Sequence, residues 1–496
     1  MDVTEYMTYD ATGLAELVAS KQVKPSELLA AARQRADEVN GRLNAIVVRT
    51  DDLADSIVDD PDLSGPFAGV PFLVKDLMQE VAGYPTSYGS RALRGDVATE
   101  HASVVQRWLD AGLVIFGKTN TPEFGAKGVT EPEYWGPARN PWRLGHTPGG
   151  SSGGSGAAVA AGVVPAAGAN DGGGSIRIPA ACNGLVGLKP SRGLAPYGPQ
   201  TGESMIGMAV QGVVSRTVRD NAGLLDAIVG PHPYAGYQAP VPQRPFAEAV
   251  KDAPGRLRVG FSARSAITAD PDPEAVAAMH EAAALLAELG HEVEEVTPPY
   301  DDEALARDFL TIWFANLAAE VELTKARTGA TSRDFEADTL AIAEIGRAAG
   351  VVAAQQALGN VHGYVRSLVD FQQSYDLFLT PTLAKRPLRV GELTTAPLLQ
   401  RLSRVVSKAK GGRVLAKTGI LDDLVSQNLG WVPYTQLANL TGRPAINVPL
   451  HWTPEGLPLG VQLVGRLGED ALLLQVAAQL EQARPWAHRH PAPLAP

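Results

Sequence analysis

The run Gly149–Pro190, GGSSGGSGAAVAAGVVPAAGANDGGGSIRIPAACNGLVGLKP, restricts what this chain can fold into more than any other stretch. It opens with Gly149, Gly150, Ser151, Ser152, Gly153 and Gly154, and turns Ala- and Val-rich over residues 156–164. A second cluster, Asp171, Gly172, Gly173 and Gly174, stands ahead of Ser175. The composition of 156–164 predicts a buried helix led in by a Ser/Gly turn. A flexible linker would set its glycines in a polar tract, whereas these interrupt apolar segments that need a core. A phosphate-binding loop would close on Gly-Lys-Ser/Thr, and neither cluster does. Clustered glycines instead let backbone N–H groups approach a ligand. Consecutive N–H groups at Gly173, Gly174 and Ser175 would make an oxyanion hole beside a nucleophilic serine.

The chain has 496 residues, 45% of them hydrophobic, which suffices for a large α/β core. A net charge of −11 argues against a nucleic-acid-binding face. The one cysteine, Cys182, excludes an intramolecular disulfide and a multi-thiolate zinc site, and in IPAAC it reads as a small core residue. The nine histidines are scattered without HExxH, and His488 and His490 lie in a Pro-rich tail. No metal or cofactor is expected. The acidic start MDVTEYMTYDATGLAELV has no apolar signal core, and no window reaches the ~18 apolar residues of a membrane span. The expectation is a cytoplasmic protein without stable membrane insertion.

Apolar spacing predicts helices within 11–39 and over 100–112, 217–229, 273–289, 301–328, 334–372 and 470–482. Strands are expected at 44–48, 69–77, 113–116, 257–261, 291–296, 377–380, 445–448 and 460–464, with a βαβ unit over 257–296. Residues 230–256, rich in Pro, Gln and Ala, read as a surface connection. Residues 385–430 are basic, with Lys385, Arg386, Arg389, Arg401, Arg404, Lys408, Lys410, Arg413 and Lys417. Without aromatic anchors they read as a helical flap beside the site, a candidate lid, rather than a membrane-lying segment.

Lys75 stands in the apolar run GVPFLVKDL, where a lysine is costly unless paired or neutral. Desolvation lowers a lysine pKa and makes it a base, although a strand-end lysine taken alone would snorkel to solvent. Together, Lys75, Ser151 and Ser175 would provide a proton relay to a nucleophile. Residues 149–153 also match GxSxG, but that elbow needs a strand before it, and NPWRLGHTP is not one.

GVPFLVKD, GGSSGGSGAAVAAG and NDGGGSIRIPA, in this order and with the two serines 24 residues apart, resemble the amidase signature family. The resemblance continues through GKTNTPEFG, ANLTGRPAINVPL and GLPLGVQLVG, over nearly the whole chain. TEPEYWGPARNPW and LLLQVAAQLE resemble its stand-alone bacterial members that act on nylon oligomers. The resemblance implies an α/β fold with a central mixed, twisted β-sheet covered on both faces by helices. It implies one domain over 1–496: a core at 60–230, a variable substrate side at 231–440 and a C-terminal return at 441–496. It makes Ser175 the nucleophile, Ser151 the bridging serine after a cis Gly150–Ser151 bond, and Lys75 the base. The N–H groups of Gly172, Gly173, Gly174 and Ser175 would form the oxyanion hole, braced by Asp171 and Arg177. The family often carries Thr or Ile where Gly172 stands. Phe124, Gly125 and Ala126 would line the acyl side, and Trp313, Phe314 and Asn316 the leaving-group side. The implied activity is hydrolysis of neutral small-molecule amides, aryl amides and nylon-type oligomers among them, through an acyl-enzyme. A carbamate hydrolase is the alternative, and the glutaminase subunit of a tRNA-dependent amidotransferase a third reading. A homodimer is compatible with either stand-alone form.

Overall fold

Small residues at the middle of the sheet decide how this chain packs. The computed structural model describes residues 1–268, 270–393, 425 and 428–492. Its strands are β1 (Ile46–Arg49), β2 (Pro71–Lys75), β3 (Val114–Thr119), β4 (Ala166–Asp171), β5 (Val186–Lys189), β6 (Val210–Ser215), β7 (Arg258–Phe261), β8 (Glu292–Glu295), β9 (Leu377–Pro381), β10 (Ala445–Trp452) and β11 (Pro458–Val464). They form one mixed sheet in the order β1-β3-β2-β4-β6-β5-β10-β11-β9-β7-β8, with helices on both faces. β2 runs parallel to β3 and β4. The pairs from β4 through β6, β5, β10 and β11 to β9 are antiparallel. β7, the Pro273–Glu288 helix and β8 make the expected parallel βαβ unit.

β4, β5 and β6 do not figure among the strands expected from sequence. β4 reads AAGAND, which lacks the β-branched and aromatic residues that mark strands. Its small residues answer to packing: a Cβ on Gly168 would lie 2.4 Å from Gln79 Oε1 and 3.0 Å from the Trp108 ring. The same pressure moves the expected 156–164 helix, which spans Gly153–Ala160 and is buried throughout. A Cβ on Gly154 would meet Asn120 N at 2.3 Å and Ala45 O at 2.6 Å, so glycine begins the helix where other backbone crosses it. This brings Ser151 beside the C-terminal ends of β2 and β4, which carry Lys75 and Asp171. The carboxyl ends of parallel strands are where open α/β sheets place ligands.

The helices Asp302–Thr328 and Ala337–Phe371 pack on each other and form an apolar cluster of their own, with Phe309, Phe314, Ile342 and Ile345. The expected 334–372 helix breaks at Gly350, where φ is 76° and ψ 171°. The 230–256 connection holds one short helix, Phe246–Ala249, whose first N–H groups donate to Asp226. The expected lid at 385–430 lies for the most part outside the described residues. Among the described residues no helix is long and apolar enough to cross a membrane.

Candidate active site

Lys75 closes β2 and is fully buried, and among the described residues no carboxylate pairs with it. Its Nζ lies 2.6 Å from Ser151 Oγ and donates to Asn170 Oδ1 at 2.7 Å. Asn170 Nδ2 donates to Leu77 O at 2.7 Å, which turns Oδ1 toward the lysine. The Lys75 N–H donates to Gln79 Oε1 at 2.6 Å, and Gln79 Nε2 donates to Ala169 O and to Gln211. The strand end and the amide network together hold the Lys75 side chain in one position. Burial drives the Lys75 pKa well below that of an ordinary lysine, and the Asp171 carboxylate opposes the shift only in part. The Gly150–Ser151 peptide bond is cis.

Asp171 closes β4 beside this group and anchors the glycine loop. It accepts from Arg177 Nε at 2.9 Å and Nη2 at 3.0 Å, with both side chains fully buried. Burial raises the Asp171 pKa, but the Arg177 guanidinium outweighs it and holds the carboxyl well below the carboxylate range. Arg177 also donates to Thr435 O at 2.7 Å and to Asn439 Oδ1 at 2.6 Å, and Asn439 Nδ2 returns to Asp171 Oδ1 at 2.9 Å. Thr435 Oγ1 donates to Gly173 O at 2.7 Å. The loop is thus tied to the Gln436–Thr441 helix from both sides.

This bracing corrects one expectation about the oxyanion donors. The Gly174 N–H donates to Asp171 Oδ1 at 2.6 Å, so it is occupied by the brace and does not face a ligand. The N–H groups of Gly172, Gly173 and Ser175 find no protein acceptor among the described residues. Gly174 itself has φ +125°, and a Cβ there would lie 2.5 Å from Thr435 Oγ1. Asn170, Gln79, Asn439, Thr435 and Gln462, whose Oε1 accepts from Arg177 Nη1 at 2.5 Å, escaped the sequence reading. Their signal was a polar residue within an apolar run, as in ANLT and GVQLV.

The Amidase family model matches residues 27–474. The chain belongs to the amidase family. It is 39% identical over 502 residues to a 6-aminohexanoate-cyclic-dimer hydrolase of Pseudomonas sp. (strain NK87), covering 98% of this chain and 97% of that protein. A solved 6-aminohexanoate cyclic dimer hydrolase complexed with substrate superposes with TM-score 0.89 at 37% identity, covering 99% of this chain and 100% of that one. A bacterial aryl acylamidase superposes with TM-score 0.82 at 25% identity, covering 97% of each chain.

This amidase-family chain opens a cavity of about 530 Å³ onto Ser151, Ser175, Gly172 and Asn170. Phe124, Gly125, Trp313 and Asn316 line it as the sequence suggests. Phe314 does not: it is 3% exposed and packs between the two long helices, because the next residue on a helix points about 100° away from Trp313. Ala126 likewise packs against that helical cluster rather than the cavity. Gly125 presses on the site, since a Cβ there would lie 3.2 Å from Ser151 Oγ. At Gly172 the room for a Thr or Ile side chain is taken by Met205 Sδ at 3.1 Å and the Trp313 ring at 3.3 Å from a Cβ. Two residues from elsewhere in the chain supply the wall that a side chain at this position would otherwise form.

Proposed function

We propose that this protein is a serine hydrolase that cleaves the C–N bond of small-molecule amides through an acyl-enzyme on Ser175. The reacting amide is neutral; aryl amides and nylon-type oligomers are the substrate classes expected from its relatives. The observation that carries the reading is the buried Lys75 Nζ at 2.6 Å from Ser151 Oγ, with a pKa lowered toward the uncharged form. Neutral Lys75 accepts the Ser151 proton, and Ser151 accepts the proton of Ser175. Ser175 Oγ then attacks the carbonyl carbon, and the N–H groups of Gly172, Gly173 and Ser175 stabilise the oxyanion. Collapse breaks the C–N bond, and the departing amine takes its proton back through Ser151. Water attacks the acyl-enzyme along the same relay and releases the acid.

The test is an alkylphosphonyl fluoride followed by peptide mapping, together with a substrate panel. A mass gain on Ser175 and loss of turnover in Ser175→Ala are expected; a gain on Ser151 would overturn the assignment. The panel holds p-nitroanilides, nylon oligomers, aryl carbamates and glutamine. Turnover of carbamates alone would replace this reading with a urethanase, since the same attack serves that carbonyl. Turnover of glutamine alone would replace it with an amidotransferase subunit.

A further inference from the structure

A strained turn forms one wall of the cavity, and acids fasten it. Phe124 lines the cavity with a backbone φ of 52°, a left-handed conformation uncommon for a residue with a side chain. Gly125 follows at φ 65°, and a Cβ there would lie 3.2 Å from Ser151 Oγ. Such a turn persists only where its neighbours over-determine it. The Phe124 N–H donates to Tyr88 O at 2.8 Å, and the Phe124 ring stacks on Phe335 with centroids 5.9 Å apart. Each of the two segments carries a buried glutamate next to its stacked ring, Glu123 before Phe124 and Glu336 after Phe335. The Glu336 N–H donates to Glu123 Oε2 at 2.9 Å. Two rings and two glutamates thus join the turn to the N-cap of the Ala337–Phe371 helix.

The two carboxyls differ in what satisfies them. Glu123 Oε1 accepts from Ser90 Oγ at 2.6 Å and Oε2 from the Glu336 N–H, with the Thr339 side chain as further support. Glu336 Oε1 accepts from the Glu133 N–H at 2.7 Å, and among the described residues its Oε2 has no donor. Lys127 acts on Glu336 but is bound to Asp338 Oδ2 at 2.6 Å, with Glu131 also facing it. Glu133 adds negative charge to both and pairs with Arg91 at 3.4 Å. Two buried carboxyls without a cation of their own resist becoming charged together. Burial raises both, Glu123 to about 7 and Glu336 to about 8, and the Glu123 charge adds to the second shift.

We propose that Glu123 and Glu336 are positioning residues that clamp the Phe124–Gly125 turn to the long helix while the pair holds a proton, and that release it when both are ionised. Glu123, with more donors, carries the charge, and Glu336 carries the proton. Both groups are raised above their ordinary values, so the clamp is strongest at lower pH and weakens as pH rises through about 8. Loss of the last proton sets two anions across the seam, and their repulsion loosens the cavity wall at Phe124. Lys75 is held by Ser151 and Asn170 rather than by this seam. The inference rests on the hydrolase reading only for what the cavity binds.

Hydrogen exchange read by mass spectrometry on the full chain tests the clamp without substrate. After correction for intrinsic exchange, protection of peptides over 122–126 and 335–340 should fall about tenfold toward pH ~9, one unit above the Glu336 value. Glu336→Gln, which keeps the shape and does not ionise, should hold protection flat over that range. Glu336→Asp, which still ionises, should retain the fall. Glu123→Gln should also flatten the profile, at lower protection throughout, and decides the matter if Glu336→Gln does not fold. A seam with a merely structural role would lose protection equally at every pH. An alkaline fall that persists in both glutamine variants, or none in the unaltered protein, overturns the inference. In kinetics, KM for a p-nitroanilide should rise over the same range in the unaltered enzyme and not in Glu336→Gln, while kcat keeps its plateau. Absence of turnover would count against the hydrolase reading alone, because exchange is measured without substrate.

Discussion

Residues 149–190 and the Asp302–Thr328 helix with its partner Ala337–Phe371 meet at one cavity, but different forces hold them. In the first, polar groups are buried and tied to partners: Asp171, Arg177 and Asn439 form a closed ring of hydrogen bonds. Backbone crosses backbone there with no room for a methyl group, as at Gly154. In the second, one apolar seam joins two helices, and Val351 and Val352 remain 73% and 68% exposed. Among the described residues, nothing lies within 4 Å of a Cβ on Gly359 or Gly363 there. The contrast teaches that the proposed reacting groups sit on the part that cannot adjust. The cavity wall that carries Trp313 and Asn316 stands on a surface helix, where sequence can change at low cost in stability.

The largest effect expected is on chemistry. Lys75→Ala should lower kcat/KM by about 10³- to 10⁴-fold, or ~4–5.5 kcal/mol, because a general base is lost. In the proposed relay the active form of Lys75 is the neutral one, and its pKa is depressed by burial. Activity should therefore rise with pH and level off well below the ordinary lysine value, and this rise should vanish in the variant. A pH–rate profile, taken with chemistry rate-limiting, that keeps its rise in Lys75→Ala would remove the lysine from the relay.

Next comes Asp171→Asn, which leaves the buried Arg177 without its anion. A loss of about 3–5 kcal/mol in unfolding free energy is expected. The folded pKa of Asp171 is depressed. Its stabilisation is thus complete above the unfolded value of ~3.9 and is given up as pH falls below it. Denaturant melts across acid pH should show a shallower acid loss in the variant; identical slopes would contradict the ring's role.

Gly154→Ala should cost about 3 kcal/mol or more, since the methyl group meets backbone atoms that cannot rotate away. The smallest effect has the opposite sign. Gly359→Ala, on the exposed middle of the Ala337–Phe371 helix, should stabilise by about 0.4–1 kcal/mol. Chemical denaturation of both variants is the sharpest check of the contrast between the two regions. Equal costs at the two sites would erase it.

Much of the site was legible because its chemistry is local in the chain. A lysine in an apolar run and two serines amid glycines mark themselves by composition, and both serines and the lysine open on or border one cavity. The long helices follow from apolar spacing. β4 did not, because alanine and glycine carry no strand signature and only the approach of Gln79 and Trp108 explains them. The Gly174 N–H looked free in a linear reading, since nothing in NDGGGS says that Asp171 folds back onto it.

Residue order by itself determined which groups are candidates for the proposed chemistry: a lysine whose pKa burial lowers, serines set where backbone can turn, and glycines where no side chain would fit. Tertiary structure alone decided which of them have partners. Asn170 reaches Lys75 across 95 positions, Asn439 reaches Asp171 across 268, and Trp313 closes the space above Gly172. Whether a buried polar group is satisfied, and therefore whether it is neutral, charged or open to a ligand, depends on neighbours brought from distant parts of the chain. Desolvation and hydrogen-bond geometry act through space, and residue spacing does not encode them.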